Sequence, residues 1–234
     1  MTTKTKTSNS REVRFNTSAI ELREGSDGGP SKLVGYAAVF NRFSENLGGF
    51  VEKIAPGAFR TSLEGGDDIL AYMNHEGGLS QLGRRSNGTL TLVEDDIGLR
   101  VEITPPDTTA GRDALTLVSR GDVQNMSFGF SVREDGDEWI ERDDGMYERT
   151  LNSVRLFEVS PVSTPAYPDT TIAARSLDAF KAEQTPADES AEGEEEEREE
   201  TPADEQREEE AQSDESVDHE LEIRKRKLRD LERR

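Results

Sequence analysis

The stretch Asn125-Met126-Ser127-Phe128-Gly129-Phe130-Ser131-Val132 carries an apolar residue at every second position, the period of a strand with one buried face. Met126, Phe128, Phe130 and Val132 form that face, while Ser127, Gly129 and Ser131 form the other. Ser127 therefore points away from the core beside a residue with no side chain, on a shallow floor that another backbone could approach. A hydroxyl so placed is a candidate nucleophile, and equally an ordinary strand serine.

Working outward, short strand patterns recur along the chain. They cover residues 13–20, 33–40, 50–54 and 68–75, then 82–85, 89–93 and 98–103, and finally a hairpin of 139–142 with 146–151 and a last strand over 154–159 closed by Pro161. His75 is expected where its strand opens into a loop at Gly77-Gly78, a common setting for working residues. A short helical turn is expected through Leu63. A second helix spans about 110–119, with Thr108 or Thr109 as its cap and Arg120-Gly121-Asp122 at its end. Many short strands with few helices read as a mainly β, α+β protein: a closed or nearly closed antiparallel barrel flanked by short helices.

The 234 residues include 50 acidic and 29 basic side chains, for a net charge of −21. Residues 181–234 hold 22 of the acidic and 10 of the basic ones, and almost no large apolar residue precedes Val217 there. Thr185-Pro186-Ala187-Asp188-Glu189 recurs as Thr201-Pro202-Ala203-Asp204-Glu205, each followed by glutamate runs. Such a segment cannot bury a core and is expected to be disordered. In residues 217–234, Val217, Leu221, Leu228 and Leu231 fall on heptad-like positions, and Glu220 and Glu222 precede Arg224 and Arg226 by four residues. A short amphipathic helix is expected, needing a partner for stability. The expected organisation is therefore a disordered 1–12, a folded domain 13–180, an acidic linker 181–216 and a basic amphipathic helix 217–234.

Cysteine is absent, which excludes disulfides, thiolate metal sites and cysteine nucleophiles. His75 and His219 are the two histidines, so a multi-histidine metal site is untenable, and no cofactor is expected. Acidity argues against nucleic acid as a partner of the body, since phosphate binding needs clustered Lys and Arg. The N-terminus has no signal-like apolar core and no run is long enough to span a membrane, so a soluble intracellular protein is expected.

With one histidine in the body, a base-assisted Ser127 has to use His75, and the base needs an orienting acceptor. Glu158 is a candidate because it shares strand parity with Val154 and Leu156, where a charge is unexpected. Asp68, Asp122 and Glu76 are rivals, and Glu158 could instead simply pair with Arg155 or Arg133.

Several segments then occur in a characteristic order: Gly35-Tyr36-Ala37-Ala38-Val39-Phe40, Ile54-Ala55-Pro56-Gly57-Ala58-Phe59, Met73-Asn74-His75 and Gly98-Leu99-Arg100-Val101. They continue with Asn125 to Phe130 and with Leu156-Phe157-Glu158-Val159-Ser160-Pro161-Val162, leading to Pro165-Ala166-Tyr167. Over residues 13–176 the chain resembles the prohead maturation proteases of tailed phages, serine peptidases with a herpesvirus-assemblin-like fold. The resemblance implies Ser127 as nucleophile and His75 as general base. Families of this fold vary in the third member, herpesvirus enzymes using a second histidine; the other histidine here, His219, lies in the tail, and Glu158, in a segment that matches the phage pattern, is the better candidate. Amides around Gly83-Arg84-Arg85 are candidate oxyanion donors. The implied substrate is the scaffold or the N-terminal scaffolding segment of the major capsid protein, cut inside the prohead in the host cytoplasm, together with the enzyme itself. A homodimer or higher oligomer follows by analogy with the herpesvirus enzymes. A non-enzymatic capsid scaffold or assembly chaperone, or a fused protease and scaffold, are the alternatives.

Overall fold

The computed structural model describes residues 3–4, 10–16, 19–25, 28–163 and 170–184, all within the unit Met1–Pro186. The expected linker beyond residue 184, the helix over 217–234, His219 and Pro165-Ala166-Tyr167 lie outside the described residues.

In chain order, β1 (Thr3–Lys4), β2 (Glu12–Asn16), β3 (Glu21–Arg23), β4 (Lys32–Val39) and β5 (Phe50–Ile54) precede the one-turn helix α1 (Arg60–Glu64). Then come β6 (Leu70–Met73), β7 (Glu76–Arg84), β8 (Leu90–Glu94), β9 (Gly98–Ile103) and the helix α2 (Thr109–Arg120). The chain continues through β10 (Asn125–Val132), β11 (Asp137–Glu141), β12 (Tyr147–Leu151), β13 (Val154–Val162) and α3 (Thr170–Gln184). Within residues 1–12, β1 pairs antiparallel with β11, and Glu12 opens β2. Local chemistry explains the ends of α2. The Thr108 hydroxyl accepts the Gly111 amide, and Gly121 takes the left-handed conformation, φ 80°, that stops the helix.

The strands form three sheets, ordered β2-β10-β13-β6-β7, β3-β4-β9-β8 and β1-β11-β12-β5. The protein is mainly β with three helices, as expected, but the barrel is not what forms. Each sheet is open among the described residues, and two ladders, β13/β6 and β12/β5, are parallel rather than antiparallel. The edges β2 and β7 are not joined by any ladder to the edges β3 and β8. The first two sheets instead pack face to face, with β4 against β10 and β2.

Between the sheets lies an apolar core to which β10 contributes Met126, Phe128, Phe130 and Val132, all buried. Phe128 packs edge-on to Phe59 at 5.4 Å between ring centroids and stacks with Phe130 at 5.2 Å. A second cluster joins Phe50, Leu47 and Trp139 to Leu177 and Phe180 of α3, where the Trp139 and Phe180 rings stack at 5.0 Å. No helix among the described residues is long and apolar enough to cross a membrane.

A buried ionic network ties the sheet of β2 to that of β5, β11 and β12, with Glu12, Arg14, Glu52, Asp137 and Arg149 all buried. Arg149 donates to both oxygens of Glu12 (2.9 and 3.1 Å), to Glu52 (3.0 Å) and to Asp137 (2.7 Å). Arg14 donates to both oxygens of Glu52 (2.7 and 3.1 Å) and to Glu12 (2.6 Å). Burial alone would push the Glu12 carboxyl up, but the guanidinium groups of Arg149 and Arg14 outweigh it and hold the carboxyl below the usual range. Burial would likewise pull Arg149 down, and Glu12, Glu52 and Asp137 raise it instead.

Two outcomes follow for this network. Arg149→Met removes one of the two guanidinium groups that serve three buried carboxylates, leaving Glu12 and Glu52 to share Arg14, and should cost about 3–5 kcal/mol in urea unfolding. Because the folded Glu12 value lies below the unfolded one of about 4.3, its stabilisation is complete above that pH and is lost as pH falls through the folded value. Acid unfolding of Glu12→Gln should therefore show a shallower loss of stability below about pH 4 than the parent does, read by the urea midpoint at each pH.

Candidate active site

Three strands and one turn assemble the residues in question. Ser127 lies in β10, directly opposite Ser160 of β13, while Gly129 is opposite Glu158. The register then shifts, so that Phe130 pairs with Leu156 and Phe157 is the extra residue of a β-bulge. Paired residues share a face and consecutive residues alternate. Leu156 therefore lies on the core face with Phe130, and Glu158 lies on the opposite face with Gly129 and Ser127. The expectation that Glu158 shares a face with Val154 and Leu156 is thus overturned: regular alternation holds only up to the bulge. The strand also runs through Pro161 to Val162 rather than stopping before it.

His75 sits in a turn rather than a loop. Asn74 and His75 form the two-residue connection of the β6–β7 hairpin, in which Met73 pairs with Glu76, and Gly77-Gly78 belong to β7 rather than breaking the chain. Both turn residues have positive φ, 50° and 62°, the type I′ pattern that favours Asn followed by Gly. A histidine at the second position is strained backbone held by its surroundings. The Asn74 amide donates to the Pro161 carbonyl at 3.0 Å, and its side-chain oxygen accepts the Ser163 amide at 3.1 Å. The His75 amide donates to Ser160 Oγ at 3.2 Å.

The turn delivers His75 Nδ1 to 2.7 Å from Glu158 Oε1. Glu158 is 1% exposed and is held at both oxygens: Ser160 Oγ donates to Oε2 at 2.7 Å, and Arg11 Nη2 reaches Oε1 at 3.2 Å. Burial pushes this carboxyl up. The His75 ring, Ser160 and Arg11 overcome that effect and hold it below the usual range. A Cβ on Gly129 would stand 2.5 Å from Glu158 Oε1, so the glycine is there to seat the carboxylate. The floor expected beside Ser127 is occupied by this carboxylate and by Arg11, not by a backbone.

The other ring nitrogen, His75 Nε2, is buried and has no hydrogen-bond partner. Ser127 is fully buried as well, and its hydroxyl is given to the Arg14 carbonyl of β2 at 2.9 Å. Ser127 therefore makes no hydrogen bond to His75 Nε2 here.

The rivals to Glu158 are engaged elsewhere or exposed. Asp68 accepts from Arg84 at 2.7 Å, Asp122 pairs with Arg120 at 3.0 Å, and Glu76 is exposed. Nor does Glu158 pair with the cations first considered. Arg133 binds Asp67 at 2.9 Å, and Arg155 lies over the Phe157 ring. Two of the candidate oxyanion amides are engaged: the Arg84 amide donates to Thr89 Oγ1 and the Arg85 amide to the Ile69 carbonyl, each at 2.9 Å. Sequence reasoning missed Arg11, Arg14 and Ser160. Only Ser160, two residues after Glu158 in the same strand, left a usable signal. Among the described residues no group of three or more His, Asp or Glu side chains could hold a metal ion.

Against known proteins, the sequence model of the family described as caudovirus prohead serine protease matches residues 17–183. The prohead protease of Enterobacteria phage HK97 is 31% identical over 165 residues, spanning 69% of this chain and 68% of that protein. The solved capsid assembly protease of bacteriophage T4 is 9% identical and superposes with a TM-score of 0.46, covering 66% of this chain and 99% of that one. With the family matched from β3 through most of α3, the chain belongs to the caudovirus prohead serine proteases and is a serine endopeptidase of phage capsid maturation.

Proposed function

We propose that Ser127 is the nucleophile of this endopeptidase, His75 its general base and Glu158 the residue that orients the base. One observation carries the assignment: the 2.7 Å contact from His75 Nδ1 to Glu158, with Nε2 buried and unpartnered. A carboxylate on Nδ1 selects the tautomer whose Nε2 lone pair is free to take a proton. The hydroxyl of Ser127 leaves the Arg14 carbonyl and turns to Nε2, so the structure corresponds to a resting arrangement. Catalytic hydrogen bonds that tighten only with substrate bound are usual. In the reaction Oγ attacks the scissile carbonyl carbon while its proton moves to Nε2. The imidazolium then gives that proton to the departing amine, and water, deprotonated by His75, releases the acyl group.

The substrate that fits this family is the scaffold or the N-terminal scaffolding segment of the major capsid protein, cut within the assembling prohead in the host cytoplasm, with the enzyme cutting itself as well. The acidic segment 181–216 serves as a tether, and Leu221 to Arg234 docks on scaffold helices, raising the local enzyme concentration. A homodimer or higher oligomer is the expected assembly.

Co-expression with the cognate major capsid protein, followed by intact-mass analysis of both chains, tests the assignment. Ser127→Ala should abolish loss of the capsid segment. Glu158→Gln, which leaves Nδ1 without an anionic partner, should slow it by about 10³–10⁴-fold. Persistent cleavage by Ser127→Ala would remove the nucleophile from Ser127. Gly129→Ala should also impair cleavage, because its methyl group displaces the Glu158 carboxylate. Deletion of residues 217–234 should lower the amount of enzyme packaged in proheads, and unchanged packaging would discard the docking role.

A further inference from the structure

Ser160 is buried at the centre of the site, and its hydroxyl both donates and accepts a hydrogen bond there. It is fully inaccessible and directly opposite Ser127 in the β10–β13 ladder. A serine hydroxyl has one proton to give and two lone pairs. The proton goes to Glu158 Oε2 at 2.7 Å, and a lone pair receives the His75 amide at 3.2 Å. One oxygen atom thus joins the carboxylate to the backbone of the turn that carries the imidazole.

The two contacts act on separate degrees of freedom. Glu158 Oε1 faces His75 Nδ1, so a donor on Oε2 stops the carboxylate from rotating away from the ring. His75 has φ 62°, a strained conformation that persists only where its surroundings hold it. The amide bond to Ser160 is one such hold. Ser160 is not placed as a second nucleophile, since its proton is given to the carboxylate and its oxygen lies against the His75 backbone rather than at Nε2.

We infer that Ser160 is a positioning residue of the peptidase: through one hydroxyl it fixes the Glu158 carboxylate against His75 and anchors the His75 turn. The inference rests on the roles proposed for Ser127, His75 and Glu158. Its effect falls on the proton-transfer step and not on substrate binding.

The test uses the full chain and steady-state cleavage of the purified cognate major capsid protein, with Ser127→Ala as baseline. Ser160→Ala should lower kcat by about 10–100-fold, by analogy with the loss on removing hydrogen-bond partners that orient metal-ligating side chains, with KM within about twofold. In a Glu158→Ala background the same substitution should cost less than about threefold, because its principal partner is already gone. Thermal melting of each variant controls for folding. Where Ser160→Ala melts early, Ser160→Cys replaces it, keeping the volume but offering a weak donor, and the same kcat-selective loss is expected. Wild-type kcat in Ser160→Ala, or an equal loss in both backgrounds, overturns the positioning role while Ser127→Ala remains inactive. Cleavage by Ser127→Ala would instead refute the underlying assignment.

Discussion

The site depends on one residue too many in β13. Without the bulge at Phe157, the register of Val132↔Val154 and Phe130↔Leu156 would carry on and send Glu158 into the apolar core opposite Phe128. With it, Glu158 turns to the face of Ser127 while Leu156 and Val154 remain in the core. The ladder is otherwise regular on both sides of the shift, so a single insertion converts a core-facing position into one that meets the imidazole. Bulges near functional sites re-aim side chains in this way, and Gly129 completes the arrangement by leaving room for the carboxylate.

Two further constraints hold the partners in place. The β6–β7 turn forces His75 into positive φ, where glycine would be easier, and its neighbours Ser160, Pro161 and Ser163 hold the turn against β13. On the other side of β10, β2 supplies the carbonyl that accepts the Ser127 proton. The core-side residues of β2, Glu12 and Arg14, are locked into the network with Glu52, Asp137 and Arg149. The family match begins at residue 17, so this strand lies just upstream of the matched region and yet touches Ser127.

The buried network also has an energetic character of its own. Replacing a satisfied buried ion pair with apolar residues of the same volume is often neutral, whereas removing one member leaves an uncompensated charge. Three carboxylates and two guanidinium groups arranged with bidentate contacts therefore specify how β2 meets β5, β11 and β12 more than they add stability. An apolar patch would tolerate sliding that forked hydrogen bonds do not.

Much of the local structure was legible in the residues. The alternation of Met126, Phe128, Phe130 and Val132 set the core face of β10, Phe50 to Ile54 and Gly98 to Ile103 announced β5 and β9, and Thr108 with Gly121 bracketed α2. These are short-range effects of side-chain period and capping, readable without knowing what packs where. The helix α3 was missed although Leu177 and Phe180 stand three residues apart, because two apolar residues in a polar context identify a helix only once the cluster of Phe50 and Trp139 receives them. Chemistry and family pattern together singled out Ser127, His75 and Glu158 by type and order. Tertiary structure alone decided that Glu158 leaves the face of Leu156, that Arg11 and Ser160 reach it, that the Ser127 proton rests on Arg14, and that the sheets stay open. The physical reason is common to all four: a bulge, a buried ion network and a parallel pairing are each settled between segments far apart in the chain, where no periodicity within one segment can record them.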